Sequence, residues 1–502
     1  MAKVLMLQGT GSDVGKSVLA AGLCRLLRQD GVRVAPFKPQ NMALNSFITA
    51  EGGEMGRAQV VQAEAAGVAP HVDMNPVLLK PTTDVGAQVI LQGRVHGNMK
   101  ALEYHAFKVV ARETVFDSFR RLARRFDVIV AEGAGSPAEI NLREGDIANM
   151  GFALEVGCPV LLVGDIDKGG VFASLVGTLE LIAPEEAALV RGFVINKFRG
   201  DARLLDPAFA AITARTGKPF LGTVPYFRDI FLQEEDGIHR DVIRVRAGGD
   251  RVRVAVVVPN RISNFTDFDP FLGESGVTLE FVRAGERLGQ AEIVILPGSK
   301  NTVDDLEALR QSGLADEILE NRRRGATVVG LCGGYQMLGR WVRDPHGVES
   351  LRREARGLDL LDVETVMEKE KVTAQAQARV LPGALPWFEE TEPLTGYEIH
   401  MGRTALGPRA RPLLRVERRG DEREHEDGAL SPDGRVLGTY LHGIFDNDAF
   451  RRALLDLYRE PAAAGPSFAA RKEEGYDRLA ALLRECLDVA ALYRILEGGP
   501  DV

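Results

Sequence analysis

Cysteine is scarce in this chain, with 4 in 502 residues: Cys24, Cys158, Cys332 and Cys486. They are far apart, and no CxxC or Cys/His cluster joins them. That excludes a disulfide scaffold and offers no zinc site, and the usage fits a reducing cytoplasm. Long apolar runs are also missing. Nothing approaches the ~20 residues of a membrane span. The short apolar stretch Met1 to Gly9 lacks a charged leader region and a cleavage site, so it reads as a first strand. Positive charge is not in excess either: 62 Lys and Arg against 71 Asp and Glu give a net charge of −9. That balance argues against a nucleic-acid surface as the main business. Internal repeats and low-complexity tracts are absent as well.

What remains is an ordinary globular composition, 45% apolar and 26% charged, long enough for about three domains of about 150 residues each. Short apolar runs alternate with helical stretches. Val4 to Leu7, Val32 to Phe37, Asp127 to Ala131, Pro159 to Val163 and Gly192 to Ile195 read as buried parallel strands, with function at their C-terminal ends. The polar segment Gln233 to Gly249 ends in Gly248-Gly249 and predicts a domain boundary there. A second α/β series follows, in Arg251 to Val258, Thr278 to Val282, Glu292 to Leu296 and Thr327 to Leu331. Pro382 to Asp427 reads as loops and edge strands. A helical tail follows, with a linker at Pro461 to Pro466. The predicted fold is therefore α/β, two doubly wound mostly parallel-sheet domains. The predicted divisions are 1–248, 249–450 and a tail 451–502.

Gly9-Thr-Gly-Ser-Asp-Val-Gly-Lys-Ser17 lies between a predicted strand and a predicted helix. Backbone N–H groups from Gly9, Thr10 and Gly15 would cradle phosphate. Lys16 would reach the β/γ-phosphates, and Ser17 would ligate Mg²⁺. The loop encloses five residues between Gly9 and Gly15, where the usual motif has four. Glu132, at the end of a buried strand, is the expected carboxylate for the metal. Glu54 is a second candidate. Lys38 would point into the same crevice and neutralise a transferring phosphoryl group. Asn196 could hydrogen-bond a nucleotide base. Asp165 and Asp167 share that edge, where helix capping explains them equally well.

Val328-Val-Gly-Leu-Cys-Gly-Gly-Tyr-Gln-Met-Leu-Gly339 is a strand, a sharp turn at Cys332 and a helix. That is the architecture of a nucleophile elbow. The helix N-terminus favours a thiolate, and the Gly333 N–H could donate to an oxyanion. Gly298, in Leu296-Pro-Gly-Ser-Lys-Asn301, is a second candidate donor. His442, in Tyr440-Leu-His-Gly443, is the favoured base, with His400 as its rival.

The Cys332 elbow with Tyr-Leu-His-Gly resembles a class I glutamine amidotransferase domain. The longer phosphate loop with Glu132-Gly-Ala-Gly135 resembles the dethiobiotin synthetase family, which shares that spacing. This order of domains resembles the corrinoid amidases. Ala35-Pro-Phe-Lys-Pro-Gln-Asn-Met-Ala-Leu-Asn-Ser46, Ile195-Asn-Lys-Phe-Arg-Gly-Asp201, Pro297-Gly-Ser-Lys-Asn-Thr302 and Tyr397-Glu-Ile-His-Met-Gly402 are similar to the cobyric acid synthase family, over about residues 1 to 450. The resemblance implies ATP- and glutamine-dependent amidation of four peripheral carboxylates of adenosylcobyrinic a,c-diamide. It implies ATP, Mg²⁺, glutamine and a corrinoid as small-molecule ligands, with no nucleic-acid or membrane partner. Many class I domains carry Glu two residues after the base. Here that residue is Ile444, as the corrinoid branch also lacks it, so a Cys–His dyad is expected. Two readings compete: the a,c-diamide synthase of the same pathway, and a nucleotide switch with a silent second domain. A homo-oligomer stays open.

Overall fold

A computed structural model describes residues 2–81, 86–235, 252–389, 392–421, 423–461 and 465–498. The boundary expected at Gly248-Gly249 and the middle of the Pro461–Pro466 linker lie outside the described residues. The chain forms two compact units. The first comprises Met1–Ala43, Glu54–Glu234 and Arg471–Val502; the second comprises Leu44–Gly53 and Glu235–Ala470. Both are α/β.

In the first unit, six strands form an all-parallel sheet in the order Phe220–Pro225, Val190–Phe198, Val160–Asp165, Lys3–Gly9, Val128–Glu132, Val34–Phe37. Five of them contain the apolar runs of the sequence, and Val128–Glu132 and Val160–Asp165 are buried along their whole length, as a sheet covered on both faces requires; the edge strand Phe220–Pro225 is half-buried. The helix Lys16–Gln29 leaves the central strand through the glycine loop. The register Leu7↔Glu132 brings Glu132 beside the mouth of that loop.

The end of the chain, Arg471–Val502, is part of this unit. Leu479, Ala480 and Leu483 join Ala20, Leu23 and Cys24 of the loop-following helix in one core. Tyr476 donates to Glu64 at 2.6 Å, and Arg25 pairs with Asp477 at 2.7 Å. The helix Asp448–Leu455, by contrast, buries Phe450, Leu454 and Leu455 in the second unit.

The second unit has a six-stranded sheet in the order Val277–Val282, Val252–Val257, Ile293–Leu296, Thr327–Leu331, Val436–Thr439, Ala429–Leu430. Only the last pair is antiparallel. Beside it, Val363–Val380 pairs antiparallel with Leu394–Leu406 and Leu414–Arg418. The Pro- and Arg-rich stretch is thus a larger sheet than its composition suggested. Burial alternates along Leu414–Arg418 and through the second half of Val363–Val380, which is what one half-buried face produces. No described helix is long and apolar enough to cross a membrane.

Candidate active sites

In the first unit, the glycine loop follows the strand Lys3–Gly9. Gly15 has φ 94°, and a Cβ there would meet Asn196 Nδ2 at 2.1 Å. Lys16 Nζ donates to the carbonyls of Gly11, 2.9 Å, and Gly135, 3.1 Å. Thr10 N donates to Val163 O at 3.0 Å. Asn196 Nδ2 donates to Val14 O at 2.8 Å, so this amide braces the loop from Val190–Phe198, two strands away in the sheet.

Glu132 is fully buried and is the hub of the site. Its Oε1 accepts from Ser17 Oγ at 2.6 Å and from Lys38 Nζ at 2.7 Å. Its Oε2 accepts from Gln62 Nε2 at 2.7 Å. Burial alone would raise this carboxyl. The Lys38 charge and the hydrogen bonds from Lys38, Ser17 and Gln62 outweigh burial and hold it below the ordinary glutamate range. The donor set fits a hard divalent cation. Ser17 spends its proton on Glu132, which leaves the hydroxyl lone pairs for a metal. A glycine-rich backbone beside Lys16 fits phosphate.

Glu54 is placed in a buried pair with Lys80 at 2.8 Å. Asp165 accepts from the backbone of Asp167 at 2.8 Å and lies 3.2 Å from Lys197, while Asp167 pairs with Arg199 at 2.8 Å. Gln62 was not anticipated. It sits on the helix Arg57–Ala66, whose residues are buried apart from Glu64. A glutamine on a helix with no solvent face was the signal available.

In the second unit, the strand Thr327–Leu331 ends at Cys332, whose φ of 51° and ψ of −109° are strained for a residue with a side chain. The helix Gly333–Leu338 starts at once. A Cβ at Gly334 would lie 1.9 Å from Leu296 O, so only glycine lets the turn close. The thiol lies 3.4 Å from Ile399 O. Gly333 lies against Ser299, its Cβ position 2.7 Å from Ser299 N, and the Cβ position of Gly298 is 3.4 Å from His442 Cε1. Both expected oxyanion donors therefore border Cys332 and His442.

His442 Nδ1 donates to Asp267 Oδ2 at 2.7 Å, and Gly443 N donates to Asp267 Oδ1 at 3.1 Å. Imidazole and carboxylate are both buried, 1% and 3% exposed. Nε2 is also buried and makes no hydrogen bond of ordinary geometry among the described residues. Burial works against charge on this ring. Asp267 foremost, and the sulfur of Cys332, overcome it and push His442 up to about 10. Asp267 therefore stands behind His442 as a third group in contact with the expected base, where the sequence led to the expectation of a dyad. Asp267 precedes His442 by 175 positions. Its one sequence signal is an acid just beyond the first strand of the unit.

His400 has different company. Its Nδ1 lies 2.8 Å from Gly402 O, its ring stacks on Tyr440 at 3.8 Å, and Nε2 is 3.6 Å from Glu398. Cys24 and Cys158 are buried thiols pushed above their ordinary range, in keeping with inert packing.

Residues 5–239 match the CobQ/CobB/MinD/ParA nucleotide binding domain, and residues 253–450 match the CobB/CobQ-like glutamine amidotransferase domain. Over the full length, the chain is 52% identical to a cobyric acid synthase from Syntrophobacter fumaroxidans, covering 99% of each chain. The chain belongs to the cobyric acid synthase family. Others in the family include proteins of that name from Pelotomaculum thermopropionicum, 52% identical over 99% of this chain and 97% of that one, and from a Thermoanaerobacter species, 48% identical over 100% of both. Membership makes the chain an amide-forming enzyme of cobalamin biosynthesis, with a nucleotide-binding half and a glutamine amidotransferase half.

Proposed function

We propose that the chain converts adenosylcobyrinic a,c-diamide to adenosylcobyric acid by amidating the b, d, e and g carboxylates, with glutamine as nitrogen source and ATP as activator. The observation that carries this is the pair of sites on one chain: a buried Cys332–His442–Asp267 array on a strained elbow, and a Ser17–Glu132–Lys38 cluster beside a phosphate loop.

In the second unit, Cys332 Sγ attacks the glutamine side-chain amide carbon. Gly333 and Gly298 N–H groups stabilise the oxyanion. His442 Nε2 gives its proton to the leaving ammonia, and Asp267 keeps the imidazolium in place. Water then hydrolyses the thioester to glutamate. In the first unit, Lys16 neutralises the β/γ-phosphates; Ser17 and Glu132 would hold a Mg²⁺ ion, which would supply screening of the phosphate charge. A substrate carboxylate oxygen attacks the γ-phosphorus and ADP leaves, with Lys38 offsetting the transferred charge. Ammonia attacks the acyl carbon, and phosphate departs. We place the reaction in the cytoplasm, where Cys332 stays reduced.

The test is to incubate the protein with glutamine, Mg-ATP and defined corrinoids and to count added amides by mass. Four amides on the a,c-diamide are expected. Amidation of the a and c positions only would favour the a,c-diamide synthase reading. No glutamate release would favour the nucleotide switch.

A further inference from the structure

The segment Leu44–Gly53 stands out by its placement. The chain before it, to Ala43, and after it, from Glu54, belongs to the first unit, yet these residues belong to the second. There they hold the supports of the base. Asn45 Oδ1 accepts from Phe265 N at 2.9 Å, and its Nδ2 donates to Glu235 O at 3.2 Å. Ser46 N donates to Asn264 Oδ1 at 3.0 Å, and Ser46 O accepts from the Tyr397 hydroxyl at 3.3 Å. Asn264 Nδ2 closes the ring, 3.3 Å from the Tyr397 oxygen. Asn45, Ser46, Asn264 and Tyr397 are all buried.

Both restraints on His442 run through this ring. Asn264 has φ 53°, a left-handed conformation that asparagine tolerates when its side chain is held. Its carbonyl accepts from Asp267 N at 3.1 Å and so opens the turn that aims Asp267 at Nδ1. Tyr397 lies opposite His442 in the strand pairing, with its ring stacked on the imidazole at 5.3 Å and 14°. Phe47 packs edge-on against Tyr397 at 5.1 Å. One contact fixes the imidazole in its plane and the other fixes its face.

We propose that Leu44–Gly53 is a positioning strap for glutamine hydrolysis, and that Asn45 and Tyr397 set the angle of His442 toward Cys332 through Asn264 and Asp267. The inference rests on Cys332 and His442 being the glutaminase pair. The strap explains why an amidotransferase unit would depend on residues contributed from the other end of the chain.

The experiment is glutamate release by the full chain with glutamine alone, between pH 6 and 10, for wild type, Asn45→Ala, Asn45→Asp and Tyr397→Phe. Misplacing a catalytic group by about 1 Å costs up to about a hundredfold. Asn45→Ala should therefore lose about tenfold to a hundredfold in kcat, with KM for glutamine within about twofold and the alkaline limb of the pH profile moved toward neutrality. Asn45→Asp keeps the acceptor for Phe265 N and should recover part of the rate. Tyr397→Phe keeps the stacked ring but loses the hydroxyl, and should show the same change in smaller measure with an unchanged thermal midpoint. It decides the matter if Asn45→Ala does not fold. Wild-type kcat and pH profile in Tyr397→Phe and in any folded Asn45→Ala would overturn the strap. So would an equal loss of ammonia-driven amidation, which needs no glutaminase. Glutamate release requires no corrinoid, so normal strap behaviour without corrinoid amidation would refute the proposed substrate and leave the strap standing.

Discussion

Asp267→Asn isolates the contribution of the third residue, because it removes one charge and little volume. Two unit charges about 4 Å apart at an effective dielectric of about 20 attract by about 4 kcal/mol. At 1.36 kcal/mol per unit, that is about three pKa units, the size of the rise that takes His442 from 6.5 to about 10 against the opposing effect of burial. Without the carboxylate most of that rise is lost, and the ring should titrate close to its ordinary range. At pH 7.5 the positive charge beside Cys332 would then be largely gone. An amide at 267 can also donate to Nδ1 and select the wrong tautomer. A fall in kcat of about 10²–10⁴ is expected, as for other oriented histidine bases. The groups facing His442 are Asp267, Cys332 and Tyr397, so the alkaline limb of glutamate release should move from near pH 10 toward neutrality. Thermal melts give a second reading. A folded pKa above the unfolded value stabilises fully below pH 6.5 and is lost as pH rises through about 10. The melting gap between wild type and variant should therefore be widest at pH 6 and close near pH 10. A wild-type alkaline limb, or a loss in kcat under about threefold, would refute the reasoning.

Cys332→Ala should abolish glutamine-dependent amidation yet retain activity with high ammonia; failure of ammonia to rescue a folded variant would give Cys332 a role beyond glutamine hydrolysis. Lys16→Ala should lose amide formation while sparing basal glutamate release, and full synthase activity would remove Lys16 from phosphate binding. Glu349, which accepts from Thr302 N at 3.3 Å, is pushed by burial up to about 7. With its folded value above the unfolded 4.5, stability is lost as pH rises from about 4.5 to about 7 and is level above that, so Glu349→Gln should raise the melting temperature more at pH 8 than at pH 5; equal shifts at both would contradict this.

The parts of the two sites that were legible in the sequence share a physical reason. Cys332 and Lys16 sit in turns where backbone geometry and chemistry are demanded of adjacent residues. Gly334 must be glycine because Leu296 O comes within 1.9 Å of any Cβ, and Gly15 because φ is 94°. Such constraints are written contiguously, beside the residue that reacts. The parallel strands were legible for a similar reason, since burial on both faces leaves an unbroken β-branched run. Asp267, Gln62 and the strap obey no local rule. What His442 needs is an acceptor at Nδ1, and any acid delivered by any turn at that sheet edge meets the need, so the fold and not the spacing decides which one serves. Ile444 stands where other amidotransferases place that acid, and a local reading therefore ended at a dyad. Leu44–Gly53 is harder still. Its sequence is continuous with the Lys38 loop, and only the three-dimensional path shows that Asn45 answers to Phe265, 220 positions away. A residue whose partner is distant leaves a trace only in its own burial. An Asn that is 1% exposed in a polar-looking loop is that trace.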